Sequence, residues 1–235
     1  LIYTFQNSGK DNMTETITMQ NDARSYRLTN IDMLRGLVLV IMAIDHTRDY
    51  FHLDAILDPM NNPEISPLLF VTRWITHFCA PVFVFLAGTS IGLMESRKTK
   101  NELSLFVLKR GLWIIFVELF ILSPIVSFAP FGDEMLGGKV FTVMQVLWAI
   151  GASMVILSGA LYLGAKACLT IGLIIVMGSN LLDPIWPQGS MMQQSDQYWL
   201  LIHSQTSFII GPFIVMVFYP LLAWIGVMML GYGSS

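Results

Sequence analysis

Six apolar runs can be drawn along the chain, at about residues 33–52, 68–94, 106–128, 141–163, 166–182 and 199–231. Each is close to the ~20 residues that a helix needs to cross the ~30 Å hydrocarbon core of a bilayer. A segment in lipid has to satisfy its own backbone N–H and C=O groups, and runs this long are not the alternating ten-residue strands of a barrel, so all six are predicted to be helices. The run between Lys166 and Asp183 is the shortest. The expected fold class is therefore all-α, a polytopic transmembrane helix bundle with about six spanning helices.

Residues 1–23 are polar and are expected to form a disordered N-terminal segment, ahead of a transmembrane domain over 24–235. They lack the seven-residue apolar core and small-residue cleavage site of a secretory signal peptide. The sequence opens on Leu1 and stops at Gly231-Tyr-Gly-Ser-Ser directly after an apolar run. It is expected to be the N-terminal part of a longer membrane domain, with Met13 a candidate natural start.

Composition agrees with the pattern. Hydrophobic residues make up 54% of the 235 and charged residues 12%, against about 25% charged in a soluble domain. A net charge of -3 offers no basic surface for nucleic acid, which is set aside as a partner. Cys79 and Cys168, each inside an apolar run, signal neither a disulfide framework nor a cysteine metal site and are expected to be packing residues.

Basic residues set the orientation, because short cytoplasmic loops carry an excess of Lys and Arg. Arg24 and Arg27 precede the first run, Arg97, Lys98, Lys100, Lys109 and Arg110 fill the second connection, and Lys166 marks the fourth. The opposite connections carry Asp54, Asp58, Glu64, Asp133, Glu134, Asp183 and Asp196, with Lys139 alone against them. This predicts a cytoplasmic N-terminus, with His52, Arg73, His77 and His203 toward the outside.

The chemistry concentrates in one stretch, Arg35 to His52, where an apolar run turns abruptly into titratable groups. At about 1.5 Å of rise per residue, Asp45 and His46 lie on the order of 15 Å beyond Arg35, half the depth of the bilayer core. Charged groups there cost at least about 2.5–3.5 kcal/mol each, so they face a protein interior or a wet cavity and mark function. Asp45 and Asp49 are four apart, Asp49 and His52 three apart, and His46 reaches Asp49 at i+3. A carboxylate beside an imidazole orients it and stabilises its protonated form, the arrangement of general-base catalysis. Arg73 and His77, again four apart, come beside the outer half of this helix if the first two runs pack antiparallel.

Plainer readings stand beside these. Asp45, His46, Asp49 and Arg73 could form an ion-pair network that only locks two helices, although burying charge is often no more stabilising than apolar packing. Arg35 is either a snorkelling interfacial arginine or a ligand contact. His52 and His203 lie near loop ends, where solvation is expected. No His-x-x-x-His or His-x-Asp spacing occurs on one helix, so no metal is expected. Glu118, on the order of 12 Å into the core past Arg110, needs a buried partner. Gly36, Gly88, Gly92 and Gly111 are expected at close helix contacts. Two function classes remain open from the residues alone, an enzyme that uses the His and Asp groups and a proton-coupled transporter that relays protons through them.

The stretches Arg27-Leu-Thr-Asn-Ile-Asp-Met-Leu-Arg-Gly-Leu, Met42-Ala-Ile-Asp-His-Thr-Arg-Asp-Tyr-Phe-His and Phe70-Val-Thr-Arg-Trp-Ile-Thr-His-Phe-Cys-Ala-Pro, with a later one from Tyr219, carry a resemblance. Over about residues 24–232 the chain resembles the bacterial membrane proteins related to the catalytic domain of heparan-alpha-glucosaminide N-acetyltransferase. The resemblance implies acetyl transfer from cytosolic acetyl-CoA, as donor substrate, to an acceptor beyond the membrane, in the bacterial inner membrane. The implied partners are the lipid bilayer and a small-molecule or glycan acceptor; a homo-oligomer is left open. Arg35 and His46 match the Arg-x10-His spacing of the wider membrane acyltransferase group, which makes His46 the preferred base and Arg35 the donor contact. In the animal enzyme the catalytic histidine falls several residues later, nearer to His52, so the choice between His46 and His52 stays open. The catalytic set is then His46, Asp45, Asp49 and His52, with Arg73 and His77 on the substrate.

Overall fold

The computed structural model describes residues 29–48, 51, 66–127, 132, 137–185 and 199–235. The expected disorder of residues 1–23 lies outside the described residues, as do Asp49, His52 and most of the outer acidic residues. The chain divides into two units, Leu1–Cys79 and Ala80–Ser235.

The first unit holds helix α1 (29–48) and helix α2 (Pro67–Thr76). Ser66 caps α2 by accepting from the Leu69 N–H at 3.3 Å, and Pro67 opens the helix where its missing N–H costs nothing. After a turn at His77 and Phe78 the chain continues as α3 (Cys79–Glu95). Pro81 is consistent with the turn, since a proline has no N–H with which to continue the helical ladder.

The second unit is built on α3, α4 (Lys100–Val117), α6 (Val146–Ala160), α7 (Ala165–Gly178) and α9 (Leu221–Gly233), with a short α5 (Ser123–Ser127) between α4 and α6. A capping box of Thr99 and Glu102 starts α4. Val84, Leu103, Val107, Leu157, Met228 and Tyr232 form the centre of the core. Glycines let the helices touch backbone to backbone. A Cβ on Gly111 would lie 2.7 Å from the Gly151 carbonyl oxygen, and one on Gly172 would lie 2.8 Å from that of Gly226. Gly88 faces the Met228 carbonyl and Gly231 that of Phe85, so glycines on both helices close the contact between α3 and α9. Gly36 departs from expectation, with open space around it.

Among the described residues three helical stretches are long and apolar enough to cross a membrane: Pro67–Glu95, Val146–Leu163 and Ala165–Leu182. The run 199–231 is not one helix, which corrects the sequence expectation. It forms a four-residue helix α8 (Leu200–His203), a hairpin of β2 (Thr206–Ile210) and β3 (Phe213–Val217), and then α9. The fourth run likewise opens as a strand, β1 (Val140–Met144), which pairs parallel with β3 to give the order β1-β3-β2. Gly211, at φ +57, and Pro212 make the two-residue turn. Five-residue stretches of β-branched and aromatic side chains are as hydrophobic as helix, so hydropathy alone does not separate them.

Side chains from α4's continuation hold the junction from β1 to α6. The helix passes through a π-helical turn at Glu118–Leu122. Ser123 Oγ accepts from the Val143 N–H at 2.7 Å, and Glu118 Oε1 accepts from the Gln145 N–H at 2.8 Å. Glu118, only 3% exposed, thus finds its buried partner in a backbone amide.

The glycine contacts give a direct test in detergent-purified protein. Gly172→Ala is expected to destabilise by about 1–3 kcal/mol through overpacking, whereas Gly159→Ala, in a helix position with nothing within 4 Å, should be neutral or stabilise by about 0.5–1 kcal/mol. Equal unfolding midpoints for the two variants would remove close packing as the reason for Gly172.

Candidate functional site

Asp45, on α1, gathers three donors. Arg48 reaches it from one turn along the same helix, at i+3. From α2, Arg73 Nη1 lies 3.2 Å from each carboxylate oxygen, and Thr76 Oγ1 donates to Oδ1 at 2.5 Å. Arg73 and Thr76 are three apart and so share the helix face turned to α1. Side-chain exposure is 8% for Arg48, 16% for Asp45 and 28% for Arg73, so the group is largely withdrawn from its surroundings. Thr76 is buried, and its hydroxyl also lies 3.1 Å from the Arg73 carbonyl. The carboxylate therefore ties α1 to α2 through charge-assisted bonds, the stronger kind. Arg73 Nε is a buried donor with no hydrogen-bond acceptor among the described residues.

The other expected residues are placed differently. His46 is exposed, one helical step of about 100° from the Asp45 cluster. His77 is also exposed; it caps the end of α2, its N–H donating to the Arg73 carbonyl at 3.0 Å, and does not accompany Arg73 to Asp45. Arg35, near the start of α1, pairs with Asp32 at 3.3 Å. Asp49 and His52 lie outside the described residues. The His203 side chain, expected to be solvated, is instead 4% exposed, with Nε2 2.9 Å from Asp183 Oδ1. It is withdrawn because α8 packs Leu200 against Phe208, Val215 and Val217 of the sheet. Among the described residues no three His, Cys, Asp or Glu side chains group as metal ligands.

Sequence reading missed Arg48 and Thr76. The signal was present in both cases, since each stands three residues from a residue already singled out, Asp45 and Arg73. The long apolar helices and the charged cluster between two of the helices define an integral membrane protein of helical build. More narrowly, the chain belongs to the family of the heparan-alpha-glucosaminide N-acetyltransferase catalytic domain, which matches residues 27–235. That is a family of membrane acetyltransferases, and the match begins at Arg27, the first residue of the motif ahead of α1. Neither a curated protein nor a solved structure matches the chain.

Removing Asp45 should be costly because it strands guanidinium groups. Asp45→Ala is expected to destabilise by about 3 kcal/mol, the lower end of the range for a broken buried pair, given the exposure that Arg73 retains. Thr76→Val should cost about 1.5 kcal/mol, as the loss of one hydrogen bond to a charged group. Denaturant titration in detergent checks both, and unchanged stability in Asp45→Ala would contradict the proposed tie between α1 and α2.

Proposed function

We propose that this chain is an acetyltransferase that moves an acetyl group from cytosolic acetyl-CoA to a sugar-type hydroxyl or amine acceptor on the extracytoplasmic side. In this reading it sits in a bacterial inner membrane with its N-terminus in the cytoplasm. The observation that carries the reading is the family match over residues 27–235, which spans the Arg35-x10-His46 motif on α1.

In the proposed reaction His46 is the base. Its imidazole takes the proton of the acceptor O–H or N–H as the acceptor's lone pair attacks the thioester carbonyl carbon. The carbon–sulfur bond then breaks, the acetyl group stays on the acceptor, and the coenzyme thiolate leaves and takes up the proton that His46 held. In a two-step variant His46 itself carries the acetyl group. An exposed imidazole suits either role, because a reacting group has to meet its substrate. Asp45 is engaged by Arg48, Arg73 and Thr76, so we assign the orientation of His46 to Asp49, at i+3. Arg35 is assigned to the anionic groups of the donor, and Arg73 and His77 to the acceptor side.

One observation favours a second reading. A proton-coupled transporter uses discontinuous membrane segments, and the run 199–231 is interrupted by the hairpin. In that reading the Asp45 cluster relays protons and no acetyl group moves.

Kinetics of three variants of the full-length protein separate the assigned roles. His46→Ala is expected to lower acetyl transfer by about 10²–10⁴ with folded protein still in the membrane. His52→Ala should be milder, and Arg35→Ala should weaken donor affinity more than turnover. Full activity in His46→Ala with loss in His52→Ala would move the base to His52. Unchanged activity in both would remove histidine catalysis from this helix.

A further inference from the structure

Asp45 uses only one corner of the Arg73 guanidinium. Both carboxylate oxygens lie against Nη1, at 3.2 Å. A guanidinium is a planar fork, and its side edge, Nε with Nη2, points away from Nη1 and matches the two oxygens of a carboxylate or phosphate. Here Nε has no acceptor among the described residues although it is buried. Buried polar donors are almost always satisfied, and one that is not calls for an unseen partner. Nε itself is closed to solvent, but 28% of the side chain remains exposed, so an anion would reach this edge from its Nη2 end.

Asp45 and Thr76 explain why the fork holds this pose. Thr76 donates to Oδ1 at 2.5 Å, so the carboxylate is itself fixed and in turn fixes the Nη1 corner. A rigid first contact lowers the ordering cost of a second one on the same group. His77, exposed at the end of α2 four residues past Arg73, is the next donor along the helix.

We propose that the Nε–Nη2 edge of Arg73 is the receptor for an oxyanion, a carboxylate or a phosphate, held on the protein while Asp45 holds the opposite corner. The anion is either a free acid, such as an acidic group of the acceptor, or the headgroup of a membrane phospholipid; the chemistry recognised is the same. The inference concerns binding alone. A protein that binds the anion but transfers no acetyl group would leave it intact and sink only the acetyl-transfer reading.

The test uses the full chain in a neutral maltoside detergent, in buffer free of oxyanions and at constant ionic strength set with chloride. Thermal unfolding is followed against inorganic phosphate, acetate and a short-chain phosphatidylglycerol. A saturable rise in midpoint is expected, because a ligand that binds the folded state stabilises it. A rise with phosphate or acetate assigns a free anion, and a rise with the lipid alone assigns a headgroup. Arg73→Lys, which keeps the charge and loses the fork, should weaken binding at least tenfold, while Arg97→Lys should leave it unchanged. Asp45→Asn keeps an amide oxygen to hold the Nη1 corner but removes the negative charge that offsets the guanidinium, so it should tighten binding several-fold, an outcome that a merely structural cluster does not produce. That comparison with the parent chain decides the matter even if Arg73→Lys fails to fold. No saturable rise with any of the three ligands, parent-like binding in Arg73→Lys, or weaker binding in Asp45→Asn would overturn the proposal.

Discussion

A polar group that this chain carries into an apolar layer needs a partner, from the chain itself or from something bound to it, because the hydrocarbon of lipid offers none. The described structure meets that constraint in two ways. Around Asp45 it does so with side chains, one carboxylate receiving Arg48, Arg73 and Thr76. At the passage from β1 to α6 it does so with a carboxylate and a hydroxyl that serve backbone amides, Glu118 for Gln145 and Ser123 for Val143. A strand that runs directly into a helix would otherwise bury unpaired N–H groups. The π-helical turn at Glu118–Leu122 belongs to the same solution, since the wider turn lies just where the two side chains leave the helix. Where no polar group intervenes, the helices of the second unit close up on glycine, as at Gly111 with Gly151 and Gly172 with Gly226.

How much of this the sequence discloses follows from which signals are local. The helical build is legible because long apolar runs have one stable form in lipid. The hairpin is not, because Thr206–Ile210 and Phe213–Val217 read as apolar as any helix, and the pairing of Phe213–Val217 with Val140–Met144 joins residues some seventy apart. Gly211-Pro212 was the one local mark of the turn. In the site, helical spacing points correctly to Asp45 and Arg73 as groups on facing helices. Spacing alone does not tell that Thr76 rather than His77 joins them, because that depends on which face of α2 turns to α1. It likewise does not tell that His203 is withdrawn beside Asp183, which requires α8 to fold over the sheet.

The separation of Asp45 from His46 shapes the functional reading. Adjacent residues on a helix point about 100° apart, so a chain can place a structural carboxylate and a reactive imidazole side by side without one spoiling the other. Asp45 is committed to holding α1 against α2, whereas His46 stays exposed on α1. In the proposed acetyltransferase the first fixes the platform and the second meets the substrate. The family match covers both residues together with Arg35.

Sidedness is where the proposed reaction is most exposed to test. Full-length protein in sealed proteoliposomes would be given acetyl-labelled coenzyme on the face that carries Arg97 and Lys98, with an amino-sugar acceptor on the opposite face. The expected result is label on the acceptor across the bilayer, dependent on the protein and saturable in the donor. Absence of donor binding, together with solute uptake driven by a proton gradient, would contradict acetyl transfer and leave the cluster on α1 and α2 to a transporter.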